Sequence, residues 1–198
     1  MNILVDLLPI AVEIDNKNYE INSDFRTSIL FELLMQDSSI GAEDKIITAL
    51  ELYYPVIPEN INEAIEQMLW FYRCGKEITS SKGNGKGKRV TQIYSFEHDD
   101  DYIYAAFMDQ YNIDLQDIEY LHWWKFKAMF KSLKEDNEIV KIMGYRSMDL
   151  SKIKSKEEKD YYKKMQEFYK LPMPKDEQEK LDDINNILLN GGDLSRVL

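Results

Sequence analysis

The hydrophobic pattern of the first twenty residues alternates from one position to the next. Ile10, Val12 and Ile14 are each separated by one residue, and the alternation resumes at Tyr19. Between them lies the polar run 15–18, whose Asp, Asn and Lys residues are typical of a turn. The pattern predicts a β-hairpin at the start of the chain.

The spacing then changes to three and four, which predicts three helices. The first covers residues 25–36 and has Asp24 among its capping residues; the second covers residues 42–54 and ends at two prolines. The third opens with a possible capping box, Asn60 with Glu63, and ends near Gly75. Together with the hairpin, these helices form the predicted N-terminal part, residues 1–78.

A second helical part is predicted over residues 93–170. One helix is expected to start from the capping aspartates at 99–101 and is apolar on several faces over residues 102–111, and the next is expected to start at Asp117. Its apolar stripe follows at helical spacing: Trp123, Phe126, Phe130 and Leu133.

Three further helical patterns follow. A short helix over residues 136–143 is expected to end at Gly144, and Ser155 with Glu158 predicts another helix start. The remaining segment, residues 171–198, contains a possible amphipathic helix over residues 175–190. The fold class is therefore mainly α-helical with a small N-terminal β-hairpin.

Residues 79–92 join the two helical parts and differ from them in composition. Three glycines lie within five residues beside four basic side chains, which is typical of a flexible basic linker. A phosphate-binding loop is the alternative, but residues 83–88 are one residue short of the required spacing. Arg89 also stands where that motif needs Ser or Thr.

The two adjacent tryptophans are candidates for partner contact. Neighbours on a helix point about 100° apart, so we expect one of the pair to lie at an edge or an interface. Tryptophan, tyrosine and methionine are favoured at interfaces, although a place in the core explains the same residues. The candidate contact residues are Tyr102, Tyr104, Met108, Trp123 and Trp124.

Charge restricts the classes of partner. The chain has 36 acidic and 25 basic residues, a formal net charge of −11, which disfavours general binding to nucleic acid or to anionic membranes. The first residues lack a basic signal-peptide start, and no uncharged apolar run is long enough to span a membrane. We therefore expect a cytoplasmic protein.

The sequence contains no recognisable catalytic or metal-binding motif. Its two histidines, His98 and His122, belong to no metal-binding spacing, and its one cysteine, Cys74, allows no internal disulfide. We predict that the protein is not an enzyme and needs no cofactor or metal. A hydrophobic content of 44% is sufficient for a packed core.

Several stretches resemble the phage "gene product fifteen" family, which is encoded in the tail module of siphophages. They are FEHDDDYIYAAFMDQYNIDL, LHWWKFKAMFKSL, IMGYR and DLSKIKSKEEKDYYKKMQEFYKLP. The similarity extends over about residues 10–172 and is strongest after Ser95.

The resemblance implies a tail assembly chaperone that acts on the tape measure protein in the host cell cytoplasm. It implies no catalytic residues. A companion tail chaperone or self-association is a further possibility, because such chaperones often occur in two forms. The alternative function is a minor structural tail protein that stays in the virion.

Overall fold

The computed structural model describes residues 2–76 and 92–172. These residues form a two-stranded antiparallel sheet, seven α-helices and one turn of 3-10 helix, which confirms the mainly helical fold with an N-terminal hairpin. The elements in chain order are β1 (Ala11–Ile14), β2 (Lys17–Glu20), α1 (Phe25–Gln36), α2 (Ala42–Tyr53), α3 (Ile61–Tyr72), α4 (Asp100–Tyr111), α5 (Trp123–Lys131), α6 (Glu138–Ser147), the 3-10 turn (Leu150–Lys152) and α7 (Lys156–Phe168).

The β-hairpin has a tighter turn than the sequence predicted. Only Asp15 and Asn16 form the loop, with φ angles of 48° and 59°, and Lys17 already pairs with Ile14. Two positive φ angles give a turn whose twist matches that of the strands, and Asp and Asn tolerate this conformation. Val12 and Ile14 are buried beneath the hairpin.

The first two predicted N-terminal helices are confirmed within one residue, and the third begins as predicted and ends at Tyr72, before the glycine turn. The Asp24 carboxylate caps α1 by accepting from the Arg26 amide at 3.0 Å. The Asn60 side chain caps α3 by accepting from the Glu63 amide at 3.3 Å. The Glu63 carboxylate accepts from the Asp15 amide at 3.1 Å, so the helix start also holds the hairpin turn in place.

Helix α3 ends in a left-handed turn that includes the predicted glycine. Cys74 and Gly75 have φ angles of 58° and 68°, and the Gly75 amide donates to the Trp70 carbonyl at 3.0 Å. A side-chain carbon at Gly75 would lie 2.9 Å from the Trp124 ring. The absence of a side chain therefore lets α5 approach the end of α3 closely.

The segments before and after the linker share one hydrophobic core. Phe126 of α5 is fully buried and stacks on Phe25 of α1 and on Phe107 of α4, each at 4.9 Å between ring centres. Helix α5 thus joins α1 to α4 through one ring. The two helical parts are therefore packed together rather than separately.

Helix α5 begins six residues later than predicted. The Asp114 carboxylate accepts from the Gln116 amide at 2.8 Å and from the Asp117 amide, which stabilises a turn before the predicted helix start. His122 caps the actual start: its Nδ1 accepts from the Trp124 amide at 3.0 Å. Histidine is not a usual capping residue, so the sequence signal favoured the aspartates.

Helix α6 continues through Gly144, which was predicted to end it. The helix extends to Ser147. Arg146, two residues after the glycine, forms a buried ion pair with Asp99, with 2.6 Å between Nη1 and Oδ2, and this contact holds the last turn in place. Asp99 was expected to cap α4; its carboxylate instead accepts from Arg146 and from the Ser95 amide. Tertiary contacts thus outweigh the low helix propensity of glycine.

The helix start predicted at Ser155 is confirmed, since its hydroxyl accepts from the Glu158 amide at 3.4 Å. Helix α7 packs on α6, where Tyr145 stacks on Tyr169 at 5.9 Å. Linker residues 79–91, which include the phosphate-loop alternative, and the predicted helix 175–190 lie outside the described residues.

Candidate partner-binding surface

Both tryptophans of α5 belong to the core, so the expectation that one lies at an edge is wrong. Trp123 stacks on Tyr72 at 5.6 Å and Trp124 meets Trp70 edge-on at 5.6 Å. Their indole nitrogens donate to the Tyr72 and Phe71 carbonyls, each at 2.8 Å. Both rings therefore pack against the C-terminal end of α3, although they point in different directions from α5.

The other three candidate contact residues lie on α4 and are more accessible. Tyr102 and Tyr104 are half-buried and Met108 is 37% exposed. A hydrogen bond to Asp114, together with partial burial, raises the pKa of the Tyr104 phenol. Partner binding by these residues stays a prediction, and Met108 presents the most surface.

Exposed apolar side chains are concentrated elsewhere, in the N-terminal part. Among the described residues, sixteen large hydrophobic side chains are exposed, and only Met108, Tyr120, Tyr161 and Phe168 lie after residue 76. The other twelve are Ile3, Leu4, Val5, Leu7, Ile10, Leu30, Met35, Ile46, Ile47, Val56, Ile57 and Ile61. Single exposed hydrophobics are ordinary, whereas an exposed apolar patch is typical of an interaction surface, so the N-terminal part is the candidate region.

The highest exposures occur in residues 3–10, which we call the N-terminal apolar segment. Leu4, Val5 and Leu7 are 87%, 78% and 94% exposed. The Asp6 amide donates to the Asn2 carbonyl at 2.9 Å and so closes a turn that contains Leu4 and Val5. Leu7 follows the turn, and all three side chains are open to solvent.

The N-terminal apolar segment is fixed to the fold at its other end. Leu8 packs against the core, and the Pro9 carbonyl accepts from His122 Nε2 at 3.0 Å. Because Nδ1 of the same ring accepts from the Trp124 amide, the proton lies on Nε2. One neutral imidazole therefore caps α5 and holds the segment.

Two rows of core-facing side chains also extend beyond the core. Ile10 continues the row of Val12 and Ile14 on β1, and Ile46 continues the row of Leu50 and Tyr53 on α2. Val12, Ile14, Leu50 and Tyr53 are buried, whereas Ile10 and Ile46 are exposed. Ile10 and Ile46 have the spacing of buried residues, but no part of the described chain covers them.

Charge follows the same division as exposure. Residues 2–76 contain thirteen acidic and five basic side chains, a net charge of −8. Residues 92–172 contain sixteen acidic and thirteen basic side chains, a net charge of −3. The part that exposes most of the aliphatic surface is therefore also the more strongly negative part.

A cluster of titratable groups lies between α1, α3 and α5. The Tyr72 hydroxyl donates to Glu32 at 2.7 Å, and Lys127 Nζ lies 4.9 Å from the centre of the Trp123 ring. Burial lowers the pKa of the Lys127 ammonium and raises the pKa of the Cys74 thiol, so the thiol stays protonated near neutral pH. A protonated thiol is a poor nucleophile.

The profile of the family described as Bacteriophage Gp15 protein matches residues 4–171 of the 198. The chain belongs to this family. This confirms the resemblance to a phage protein family. The matched residues of this Gp15 family member include the N-terminal apolar segment from Leu4 onward and all seven α-helices.

No curated protein and no solved structure matches the chain. Within residues 2–76 and 92–172, no helix is long and apolar enough to cross a membrane. The same residues contain no group of three or more His, Cys, Asp or Glu side chains that is placed to hold a metal ion.

Proposed function

We propose that this Gp15 family member is a tail assembly chaperone that binds the phage tape measure protein and keeps it soluble in the host cytoplasm. The observation that carries the proposal is the exposed aliphatic surface of the N-terminal part, beside a core that is well packed. A folded protein that leaves such side chains in water has surface available for a partner.

In the proposed mechanism, the chaperone covers apolar surface of the tape measure protein. In this proposal the helices of the tape measure protein expose apolar stripes before the tail assembles, and exposed apolar stripes promote aggregation. Aliphatic side chains of the chaperone pack on those stripes and remove them from water. The formal charge of −11 keeps the resulting complex soluble through repulsion between complexes.

Co-expression tests the proposal. The tape measure protein from the same genome is produced with and without this chain, and its soluble fraction is measured before an affinity pull-down. We expect soluble tape measure protein only when the chaperone is present, and recovery of both in one complex. An equally insoluble tape measure protein in both cultures contradicts the proposal.

The alternative is a minor structural protein of the tail, for which the exposed surface is a permanent subunit contact. Mass spectrometry of purified virions distinguishes the two functions. A chaperone is absent from finished particles, whereas a structural subunit remains at a fixed copy number. A companion chaperone or a second copy of this chain would be recovered in the same pull-down.

A further inference from the structure

We propose that the N-terminal apolar segment, with the acidic surface around it, is the docking site for a positively charged amphipathic helix. The assignment of that helix to the tape measure protein rests on the proposed function. The docking site itself rests on the exposure, anchoring and charge of residues in the N-terminal part.

The first argument is the combination of exposure and anchoring. Leu4, Val5 and Leu7 are the three most exposed large hydrophobic side chains of the described residues. Leu8 packs on the core, and the Pro9 carbonyl accepts from His122, so the segment is held at a defined place. Burial of such side chains at an interface is favourable because it removes apolar surface from water.

The second argument is the charge beside the apolar side chains. Asp6 lies within the segment, and Glu13 and Glu20 lie on the solvent-exposed face of the hairpin that follows it. Residues 2–76 as a whole have a net charge of −8. Basic residues that flank an apolar stripe on a partner helix complement this arrangement and accelerate its association.

A second copy of this chain is a poor occupant, because docking would bring together two N-terminal parts that each have a net charge of −8. The chain's own C-terminal residues fit poorly for the same reason. Residues 173–198 contain six acidic and three basic side chains, a net charge of −3. Charge complementarity therefore favours a separate, basic partner.

The shape of the site favours a helix over an extended strand. Leu4 and Val5 project from a closed turn and Leu7 follows it, and all three expose aliphatic side chains to solvent. A partner strand is recognised through a free edge, whereas the apolar stripe of a helix is recognised through side chains. The site offers side chains.

Two synthetic peptides test the docking site directly. Both are three-heptad helices with leucine stripes, one with lysine and one with glutamate on the polar face. Fluorescence anisotropy measures their binding to the full chain. We expect the lysine peptide to bind at least tenfold more tightly than the glutamate peptide, with an affinity that falls as salt is raised.

The triple variant Leu4→Ser/Val5→Ser/Leu7→Ser locates the binding. It is expected to weaken binding of the lysine peptide at least tenfold while the melting temperature stays unchanged. The control Tyr161→Ser/Phe168→Ser removes exposed aromatic groups from α7 and is expected to bind normally. If the triple variant is destabilised, the charge variant Asp6→Lys/Glu13→Lys/Glu20→Lys tests the docking site instead. It is expected to weaken binding of the lysine peptide at least tenfold as well.

The experiments distinguish a failure of the docking site from a failure of the proposed function. If the lysine peptide binds both the triple and charge variants as tightly as the unaltered chain, the docking site is overturned, whatever the tape measure protein does. Equal binding of the lysine and glutamate peptides also overturns it, as does a dimer of this chain that the triple variant abolishes. If the lysine peptide binds as expected but the tape measure protein stays insoluble, the proposed function fails and the docking site stands.

Discussion

The N-terminal part, residues 2–76, and the C-terminal part, residues 92–172, contribute to one core but differ in their surfaces. The C-terminal part supplies Phe126, which stacks on rings from both parts. Its exposed large hydrophobics number four, against twelve in the N-terminal part. Its net charge is −3, against −8.

The difference shows that the density of aromatic residues in the sequence does not locate the exposed apolar side chains. Large rings gain most by burial, and the two adjacent tryptophans are buried with both indole nitrogens paired. The available apolar surface consists instead of short aliphatic side chains in an acidic setting. In this protein most of the large rings lie in the core, and the exposed large hydrophobic side chains are mainly aliphatic.

The largest effect is expected from removing the ring that joins the two parts. Phe126→Ala deletes a fully buried side chain and leaves a cavity between α1, α4 and α5, so we expect a loss of about 3–5 kcal/mol in the free energy of unfolding. Urea denaturation measures it. The control Phe168→Ala, at a side chain that is 76% exposed, should change stability by less than about 0.5 kcal/mol. Equal losses would contradict the shared core.

A somewhat smaller effect is expected at the buried ion pair of the C-terminal part. Arg146→Met leaves the Asp99 carboxylate buried without its partner, and also removes donors from the Ile93 and Tyr169 carbonyls. We expect a loss of about 3 kcal/mol, measured by urea denaturation.

The double variant Asp99→Asn/Arg146→Met is the matched control for that pair. It removes both charges, and the Asn oxygen can still accept from the Ser95 amide, so part of the stability should return. A double variant as unstable as the sum of the two single variants would show that the two side chains act independently.

The smallest effect is a pH dependence at the junction of the two parts. Burial lowers the pKa of the His122 imidazole, and the nearby Lys125 charge also lowers it, while the bond to the Pro9 carbonyl acts in the opposite direction. As pH falls below about 6.5, the unfolded chain takes up a proton that the folded chain still excludes. The free energy of unfolding should therefore fall on acidification, until the pH passes the folded-state pKa.

The variant His122→Asn isolates this contribution. Asparagine can still cap α5 but does not titrate, so its stability should change less between pH 7.5 and pH 5.5. At pH 7.5 we expect a cost of about 1 kcal/mol for the lost bond to Pro9. Identical pH profiles for the two proteins would remove His122 as the cause.

Local signals predicted most of the N-terminal fold. The caps at Asp24 and Asn60 and the turn residues of the hairpin act within a few positions, so the sequence pattern was sufficient. Predictions failed where distant partners decide. Asp99 pairs with Arg146 across 47 positions, and the tryptophan indoles donate to α3 carbonyls more than fifty positions away.

The candidate surface was the hardest feature to predict. Ile10 and Ile46 have the spacing of core residues, so periodicity alone assigns them to the interior. Only the packing of the described residues shows that the core ends before them. The distribution of acidic residues was visible in the sequence, and counting it separately for each part would have pointed to the N-terminal part.

Hydrogen exchange of the complex with the tape measure protein, compared with the free chain, tests the central claim most directly. It reports which backbone amides a partner shields, without any substitution. We predict slower exchange in residues 3–10 and in the hairpin, with little change in α7. Protection confined to α4 or α7, with residues 3–10 unchanged, would contradict the assignment of the binding surface to the N-terminal part.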